Sequence, residues 1–159
     1  MTGTTFKNVS SVFGGSAICF VVDSAQLIVE NNTFINCRST SANCLGGAIY
    51  IQFKQAVPAI VIKDCNFQDT VSNSPNKGNA ISIDEAAGSH KLTIENCNFL
   101  NCGVNGFVVY APLSEFVATR SSVSFTENSA GKSCGGFDIL NCLKCQIDNV
   151  QFVNSNTNP

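Results

Sequence analysis

The sequence predicts an all-β protein with the architecture of a parallel β-helix of about five coils. An eight-residue segment recurs, a short glycine-led strand recurs between its copies, and no helical stripe of period 3.6 persists. The segment reads LIVENNTF, IVIKDCNF, LTIENCNF and CQIDNVQF, starting at residues 27, 60, 92 and 145. Units of 22 to 33 residues cannot bury their own apolar faces, so we expect them to stack.

Each eight-residue segment combines an alternating strand with a turn. Its first, third and eighth positions are apolar and face inward, so the phenylalanines at the eighth position predict an internal aromatic stack. Its fifth position is Asn or Asp, and another such residue follows the phenylalanine by two, at Asn36, Asp69, Asn101 and Asn154. Asn tolerates the left-handed bend between strands and can hydrogen-bond one coil away. The opening TTFKN matches the tail of a further copy.

The glycine-led strands predict a second set of columns. GGSAICF, GGAIYI and GNAISI start at residues 14, 46 and 78, and looser forms start at 105 and 135. Alternation predicts one inward column of Ile18, Ile49, Ile81, Phe107 and Phe137 and a second of Phe20, Ile51, Ile83, Val109 and Ile139. The residues between them, Cys19, Tyr50, Ser82, Val108 and Asp138, are expected to face outward.

One coil between residues 92 and 145 is degenerate, and two registers fit it. In the first, residues 118–125 form the segment and Phe125 joins the aromatic column, but Arg120 then points inward at a high desolvation cost. In the second, Val123 and Phe125 take the first two apolar positions and the next coil has about 22 residues. The cost of burying arginine favours the second register.

Other repeat folds fit less well. A leucine-rich repeat needs a Leu-x-x-Leu-x-Leu consensus, which is absent, and a propeller blade needs about 40 residues. Five coils spaced about 4.8 Å apart make a rod roughly 24 Å long. Residues 1–159 are therefore interpreted as one β-helix domain. Neither end shows a polar cap, which predicts an uncapped segment of a longer rod.

Composition argues against several classes of partner. Charged residues make up only 13% of the chain, the net charge is −2, and the Lys and Arg residues are scattered, so no nucleic-acid partner is expected. No apolar run approaches the length of about 20 residues that spans a bilayer, so no transmembrane segment is predicted in this chain. Residues after Met1 lack the basic and apolar regions of a signal peptide.

Two longer motifs resemble repeats of known surface proteins. LGGAIYI at 45 and FTENSAGKSCGGFDI at 125 are similar to the GGA[ILV] and FxxN repeats of the chlamydial polymorphic membrane proteins. NCNFLNC, residues 96–102, resembles phrases in Cys-rich surface proteins of parasitic protists. The resemblance implies a right-handed β-helix displayed on a cell surface, often as an adhesin. The chain departs from this family's pattern elsewhere. The strict GGA[ILV] motif occurs once, and FxxN occurs once in the position that the family repeat gives it.

The nine cysteines are an odd number, so they cannot all pair within the chain. Cys65 and Cys97 share a position in adjacent coils, which predicts a buried thiol column or, as the alternative, a disulfide between coils. Cys37 and Cys102 share another position two coils apart, too far to bond. Cys142 and Cys145 form a CxxC without a second pair or a nearby His, so structural thiols or a local disulfide are favoured over zinc. Cys44 and Cys134 precede glycine turns.

No catalytic, cofactor-binding or metal-binding residues are predicted. Polysaccharide-degrading sites need clustered Asp with Arg or Lys, or two carboxylates at a defined distance. The acidic candidates are Asp64 and Asp69 in turn columns, the adjacent Asp84 and Glu85 at a strand end, and Asp138 without a carboxylate beside it. His90, the single histidine, is expected to be an exposed loop residue.

Two surface features remain. Ile28 and Val61 are predicted to face outward beside Glu30 and Lys63. Isolated apolar side chains are common on protein surfaces, and the alternative is that a neighbouring domain or subunit packs on these two. Asn8 and Asn31 begin glycosylation sequons, usable if the chain is secreted by a eukaryote.

These observations predict a non-enzymatic rod, extracellular or on the cell surface, that acts in adhesion and binding or as a structural spacer. The expected partners are adjacent coils or domains of the same longer protein, glycans, host or cell-surface proteins, or further copies of the chain. The alternative function is that of a carbohydrate-active enzyme resembling polysaccharide lyases and hydrolases.

Overall fold

The computed structural model describes residues 1–22, 26–42, 45–53, 59–74, 78–84, 90–103, 108–112, 115–125 and 136–154. Strands and turns make up these residues, without any helix. The strands are β1 (Thr5–Lys7), β2 (Ser10–Ser11), β3 (Ile18–Val22), β4 (Leu27–Glu30), β5 (Thr33–Ile35), β6 (Arg38–Ser39), β7 (Ile49–Phe53), β8 (Ile60–Lys63), β9 (Asn66–Gln68), β10 (Val71–Ser72), β11 (Ile81–Asp84), β12 (Lys91–Glu95), β13 (Asn98–Leu100), β14 (Val109–Pro112), β15 (Glu115–Thr119), β16 (Ser122–Phe125), β17 (Phe137–Leu140), β18 (Lys144–Asp148) and β19 (Gln151–Asn154).

The strands form three long sheets and one short sheet. The first sheet is β3-β7-β11-β14-β17, the second is β4-β8-β12-β15-β18, the third is β1-β5-β9-β13-β16-β19, and the short fourth is β2-β6-β10. Every strand pairs in parallel with the equivalent strand one coil away. The predicted parallel β-helix is thereby confirmed. In the part of the chain that the structure describes, no helix is long and apolar enough to cross a membrane.

The inner columns follow the register that the eight-residue segments predict. In the second sheet Leu27, Ile60 and Leu92 are stacked partners. In the third sheet the aromatic stack runs Phe6, Phe34, Phe67 and Phe99, with ring centroids 5.2, 4.7 and 4.9 Å apart and planes within 10° of parallel. The last three of these rings are fully buried. Aromatic burial of this extent is a major part of the core's stability.

The degenerate coil takes a third register, and both predicted registers are wrong. Phe116 pairs with Leu92, Ala118 with Ile94, and Val123 with Phe99. Phe116 and Ala118 are fully buried, and Arg120 lies at the turn with its side chain exposed. This register fills both inward positions with apolar groups and leaves the Arg120 guanidinium in water. The chain therefore neither buries arginine nor shortens the next coil, as the two predicted registers required.

In the first sheet, strand β14 is also shifted from its prediction, while β17 keeps its predicted column positions. Val109 pairs with Ile81 and with Phe137, so it belongs to the first inward column, and Ala111 lies opposite Ile139. Tyr110 takes the outward position that was assigned to Val108, which is buried. Phe107, the expected column member, lies outside the described residues. The column positions of the strands β3, β7 and β11 are confirmed.

Two residues of the first sheet that were expected to face solvent are buried. Tyr50 and Ser82 are 2% and 0% exposed. The glycine turns lie against this face: a Cβ added at Gly46 would come within 2.6 Å of the Cβ of Ser82. A Cβ at Gly47 would meet the carbonyl oxygen of Asn79 at 1.6 Å. The paired glycines therefore permit a close approach of chain segments, which alternation along a strand does not reveal.

Left-handed residues form the two predicted turn columns. The fifth position of the segment holds Asn31, Asp64, Asn96, Arg120 and Asn149, all with φ between 49° and 54°. The second column holds Asn8, Asn36, Asp69 and Asn101, with φ between 51° and 57°. The Nδ2 of Asn96 donates to Asp64 Oδ1 at 2.7 Å, which confirms the predicted bond between coils. Asn154, expected in the second column, instead ends β19 opposite Phe125.

Burial falls toward the last described coil. Ile147 and Phe152 occupy the inner columns of Ile94 and Phe99, yet they are 48% and 53% exposed while those residues are 0% exposed. Within the described residues, β18 and β19 pair with a neighbouring strand on one side only. The inner columns are therefore partly exposed at this end of the described coils.

We expect Phe67→Ala to lower the free energy of unfolding by about 3–5 kcal/mol, because it leaves a cavity in the middle of the aromatic stack. Urea denaturation measures this change. Phe13→Ala is the control, since Phe13 is 79% exposed and its removal should change stability by less than about 0.5 kcal/mol. Equal losses in both variants would contradict the stacked core.

A glycine and alanine pair at Asn96 tests the left-handed turn. Both variants lose the amide hydrogen bond to Asp64, but alanine also bears the cost of a Cβ at φ 51°. That cost, about 1–2 kcal/mol, exceeds the extra unfolded-state entropy of glycine. Asn96→Ala should therefore be less stable than Asn96→Gly by about 0.5–1 kcal/mol in urea denaturation.

The same pair at Asn98, the first residue of strand β13, is the control for this comparison. Glycine weakens strand interiors, so the order should reverse and alanine should be the more stable substitution there. The same order at both positions would contradict a role for the left-handed backbone.

Candidate ligand-binding groove

A polar groove of about 360 Å³ lies on the outer surface between the second and third sheets. Three consecutive coils line it through equivalent positions. Each coil contributes its left-handed turn residue and the outward residue of the following strand, which are Asn96 with Asn98, Arg120 with Ser122, and Asn149 with Gln151. The register of the stacked coils therefore builds the groove as two parallel rows of polar side chains.

Local chain geometry explains why these side chains line the surface. The left-handed residue bends the chain, the next residue turns inward, and the one after it begins the third sheet facing outward. Cys97 and Ser121 are accordingly buried, whereas Asn98 and Gln151 are exposed. Side chains from neighbouring coils are stacked about 4.8 Å apart.

Hydrogen bonds along the rod hold the outward row. Asn98 Nδ2 donates to Asn66 Oδ1 at 2.9 Å, and Ser122 Oγ donates to Asn98 Oδ1 at 2.7 Å. An amide has two N–H donors and an oxygen with two lone pairs. These two bonds use one donor and one lone pair of Asn98, so its amide keeps capacity for a ligand.

Arg120 supplies the positive charge at the groove. Its Nη2 forms an ion pair with Glu95 Oε1 of the preceding coil. The side chain of Arg120 is 62% exposed, and the guanidinium carries five N–H donors. The ion pair therefore orients the guanidinium while further donors remain available to an acceptor in the groove.

Side chains that bond back to the backbone form the groove's floor. Cys97 Sγ donates to Glu95 O at 3.3 Å, and Ser121 Oγ donates to Thr119 O at 2.9 Å. In the two coils before Cys97, Cys65 and Asn32 make the same bond to the carbonyl two residues earlier. Thiol, hydroxyl and amide thus interchange at this position because each is a small donor. The predicted column of buried thiols, Cys65 and Cys97, is confirmed, and the hydroxyl of Ser121 continues it in the next coil.

The remaining cysteines follow a related pattern. Cys37 and Cys102 are buried with Thr70 of the intervening coil between them, as their two-coil spacing predicts. Burial raises the pKa of the Cys102 thiol to about 12. Cys142 is half-buried and Cys145 is exposed. No disulfide joins the described cysteines, and Cys44 and Cys134 lie outside the described residues.

The acidic candidates are dispersed. Asp64 and Asp69 are turn residues whose carboxylates accept from Asn96 and Gln68. Asp84 accepts a hydrogen bond of 3.0 Å from the Tyr50 hydroxyl, and burial together with this carboxylate raises the pKa of Tyr50. Asp138 pairs in register with Tyr110, and Glu85 lies outside the described residues. Among the described side chains, no three His, Cys, Asp or Glu residues group as metal ligands.

His90 is buried, so its prediction as an exposed loop residue is wrong. It is 1% exposed, and its ring stacks on Phe53 with centroids 4.3 Å apart. Its carbonyl accepts from the backbone N–H of Glu115 at 3.0 Å. Packing against a neighbouring coil, which sequence polarity does not reveal, gives the imidazole a structural position in the core.

Charged side chains border the outer face of the second sheet. Ile28 is 41% exposed and Val61 is half-buried, as predicted, and the flanking Glu30 and Lys63 form an ion pair of 3.0 Å. Glu115 lies between Lys91 and Lys144, at 2.9 and 3.3 Å. Asn8 and Asn31, the sequon residues, are exposed in their turns.

The groove itself was not predicted from the sequence. Its central residues, Arg120 and Ser122, belong to the degenerate coil, and both registers considered for that coil misplace them. The sequence does carry one signal for the groove, which is that the seventh position of the segment is polar in every coil. The residues at this position are Thr33, Asn66, Asn98, Ser122 and Gln151. Aligning that column would have found the outward row.

Comparison with protein-family models, with curated proteins and with solved structures found no match to this chain. The resemblance to chlamydial and protist surface repeats stays a prediction from sequence motifs, although the coiled repeat itself is observed.

The ion pairs of Glu115 predict a pH dependence of stability. Hydrogen bonds from Lys91 and then Lys144 lower the pKa of Glu115 below its ordinary value of 4.5. A lowered native pKa contributes stability above pH 4.5, and this contribution is lost as the pH falls through the native pKa. In thermal unfolding, the Tm of the wild type should therefore be higher than that of Glu115→Gln at neutral pH, and this difference in Tm should vanish in acid.

Salt provides the control for this prediction. Both partners are surface side chains, so a molar concentration of NaCl should shrink the difference at neutral pH. A difference that persists unchanged in acid or in high salt would show that Glu115 acts through packing instead of charge.

Proposed function

We propose that this protein is a non-enzymatic β-helical rod, extracellular or on a cell surface, that binds carbohydrate through the polar groove. The observation that carries the proposal is the outward row of Asn98, Ser122 and Gln151 on three stacked coils beside Arg120. The rod holds this row in register because each coil is hydrogen-bonded to the next.

The chemistry of the groove suits a polyhydroxylated ligand. Amide and hydroxyl groups both donate and accept hydrogen bonds, as sugar hydroxyls do. Pockets for drug-sized ligands are lined mostly by apolar and aromatic groups, which this groove lacks among its lining residues. A row that extends over several coils matches an extended chain, and the Arg120 guanidinium matches the carboxylate of an acidic sugar.

The lining also favours binding over cleavage. Glycosidases place two carboxylates on either side of the bond that they break. The groove is lined by amides, hydroxyls, a thiol and a guanidinium, and the nearby Glu95 is held in its ion pair with Arg120. A polysaccharide lyase or hydrolase is the alternative function, which product analysis distinguishes.

The test is a binding screen of the purified chain against neutral and acidic oligosaccharides, followed by titration calorimetry on those that bind. Asn98→Ala should weaken binding about tenfold, because it removes hydrogen bonds to the ligand. Arg120→Asn should weaken the binding of acidic sugars selectively. Asparagine is the residue that other coils use at this left-handed turn, so this variant keeps the fold.

Asn73→Ala and Arg38→Asn are the matched controls. Asn73 is an exposed amide that donates to Thr40 O of the preceding coil, and Arg38 is an exposed arginine in β6. Both should leave binding unchanged. Failure to bind any oligosaccharide, or equal binding by groove and control variants, would overturn the proposal and favour a structural spacer. Shortened oligosaccharide products in mass spectra would favour the enzyme.

A further inference from the structure

Cys65 and Cys97 lie one directly above the other in neighbouring coils. The residues on either side of them are register partners, Lys63 with Glu95 and Asn66 with Asn98. The backbone N–H of Asn98 donates to the carbonyl of Cys65 at 2.9 Å. Stacked Cα atoms in such a rung are about 4.8 Å apart, inside the range of about 4.4–6.8 Å that a disulfide spans.

Both sulfur atoms lie inside the rod. Cys65 Sγ donates to Lys63 O at 3.2 Å, and Cys97 Sγ lies 3.5 Å from the adjacent carbonyl, Ile62 O. Both cysteines are 2% exposed. The neighbouring Cys65 side chain and burial raise the pKa of the Cys97 thiol.

This contact is specific to one pair of coils. Above Cys65 the equivalent position is Asn32, and below Cys97 it is Ser121. In the second turn column Thr70 separates Cys37 from Cys102. Among the described residues, Cys65 and Cys97 are thus the buried cysteines that occupy equivalent positions in adjacent coils.

We propose that Cys65 and Cys97 form a disulfide that joins two middle coils of the rod in an oxidising environment. The co-substrate is a low-molecular-weight disulfide of the glutathione class. The Cys65 thiolate attacks this disulfide, forming a mixed disulfide and releasing one thiolate. The Cys97 sulfur, after losing its proton to solvent, attacks the Cys65 sulfur and displaces the second thiol. Two protein thiols are oxidised and one small disulfide is reduced to two thiols.

Burial determines how this reaction proceeds. Neither sulfur is accessible to glutathione in the closed rod, so exchange needs a local separation of the coils or occurs before they stack. The bond closes a loop of roughly 30 residues and restricts the unfolded chain, so it should raise the Tm by about 5–10 °C. It also joins the coils that carry Asn66 and Asn98.

The experiment refolds the full chain in glutathione redox buffers and maps disulfides by mass spectrometry. Trypsin leaves Cys97 and Cys102 in one peptide, because it cleaves after Lys91 and Arg120. The Cys102→Ser variant removes that ambiguity. We expect a Cys65–Cys97 linkage in the wild type and in Cys102→Ser, with the higher Tm in oxidising buffer.

Cys97→Ser is the decisive variant, since Ser121 shows that serine fits this position. It should fold, lack the linkage and lose the redox dependence of Tm; Cys97→Ala provides a second test if serine destabilises the coil. The proposal is wrong if Cys65 and Cys97 stay reduced while the more exposed Cys142 and Cys145 oxidise. It is also wrong if Cys65 links to another cysteine, or if oxidation stops at a glutathione adduct on Cys65.

Discussion

Backbone hydrogen bonding between consecutive coils is the constraint on which the rest of this structure depends. Because each strand pairs in parallel with its equivalent one coil away, a side chain is stacked on the same position of its neighbours. The rung spacing of about 4.8 Å is also suitable for stacked aromatic rings and for amide-to-amide bonds. The core, the turns and the surface groove therefore all consist of stacked side-chain columns, and the spacing within each column is set by the hydrogen-bonded backbone.

The turn between the second and third sheets shows how one geometry serves several roles. A left-handed residue bends the chain, the following side chain bonds to the carbonyl two residues before it, and the next side chain faces solvent. The buried position accepts asparagine, cysteine or serine, since each offers a small donor. When cysteines occupy this position in adjacent coils, as Cys65 and Cys97 do, both thiols are buried in one column. When the outward positions are polar, they form the groove.

Prediction succeeded where several coils repeat the same residues and failed where one coil departs from them. The phenylalanine stack and the asparagine turns recur often enough to align without ambiguity. Arg120 misled both predicted registers because arginine is rare at left-handed turns, so its position was weighed only as an inward one. The groove was missed with it, since Arg120 and Ser122 form its middle. Residues that repeat between coils show which positions pair, whereas a degenerate coil has too few repeated residues to be aligned.

Outside the degenerate coil, the sequence by itself determined the β-helix, the inner columns of the second and third sheets and most of the two turn columns, because these depend on local alternation and on repeats along the chain. Only the tertiary structure decided which outward residues are covered. Tyr50 and Ser82 face away from the core by alternation, yet they are buried, and Ser82 lies beneath the glycine turn at Gly46. His90 is buried against Phe53. Burial of these residues depends on contacts between segments far apart in sequence, and alternation within one strand carries no information about such contacts.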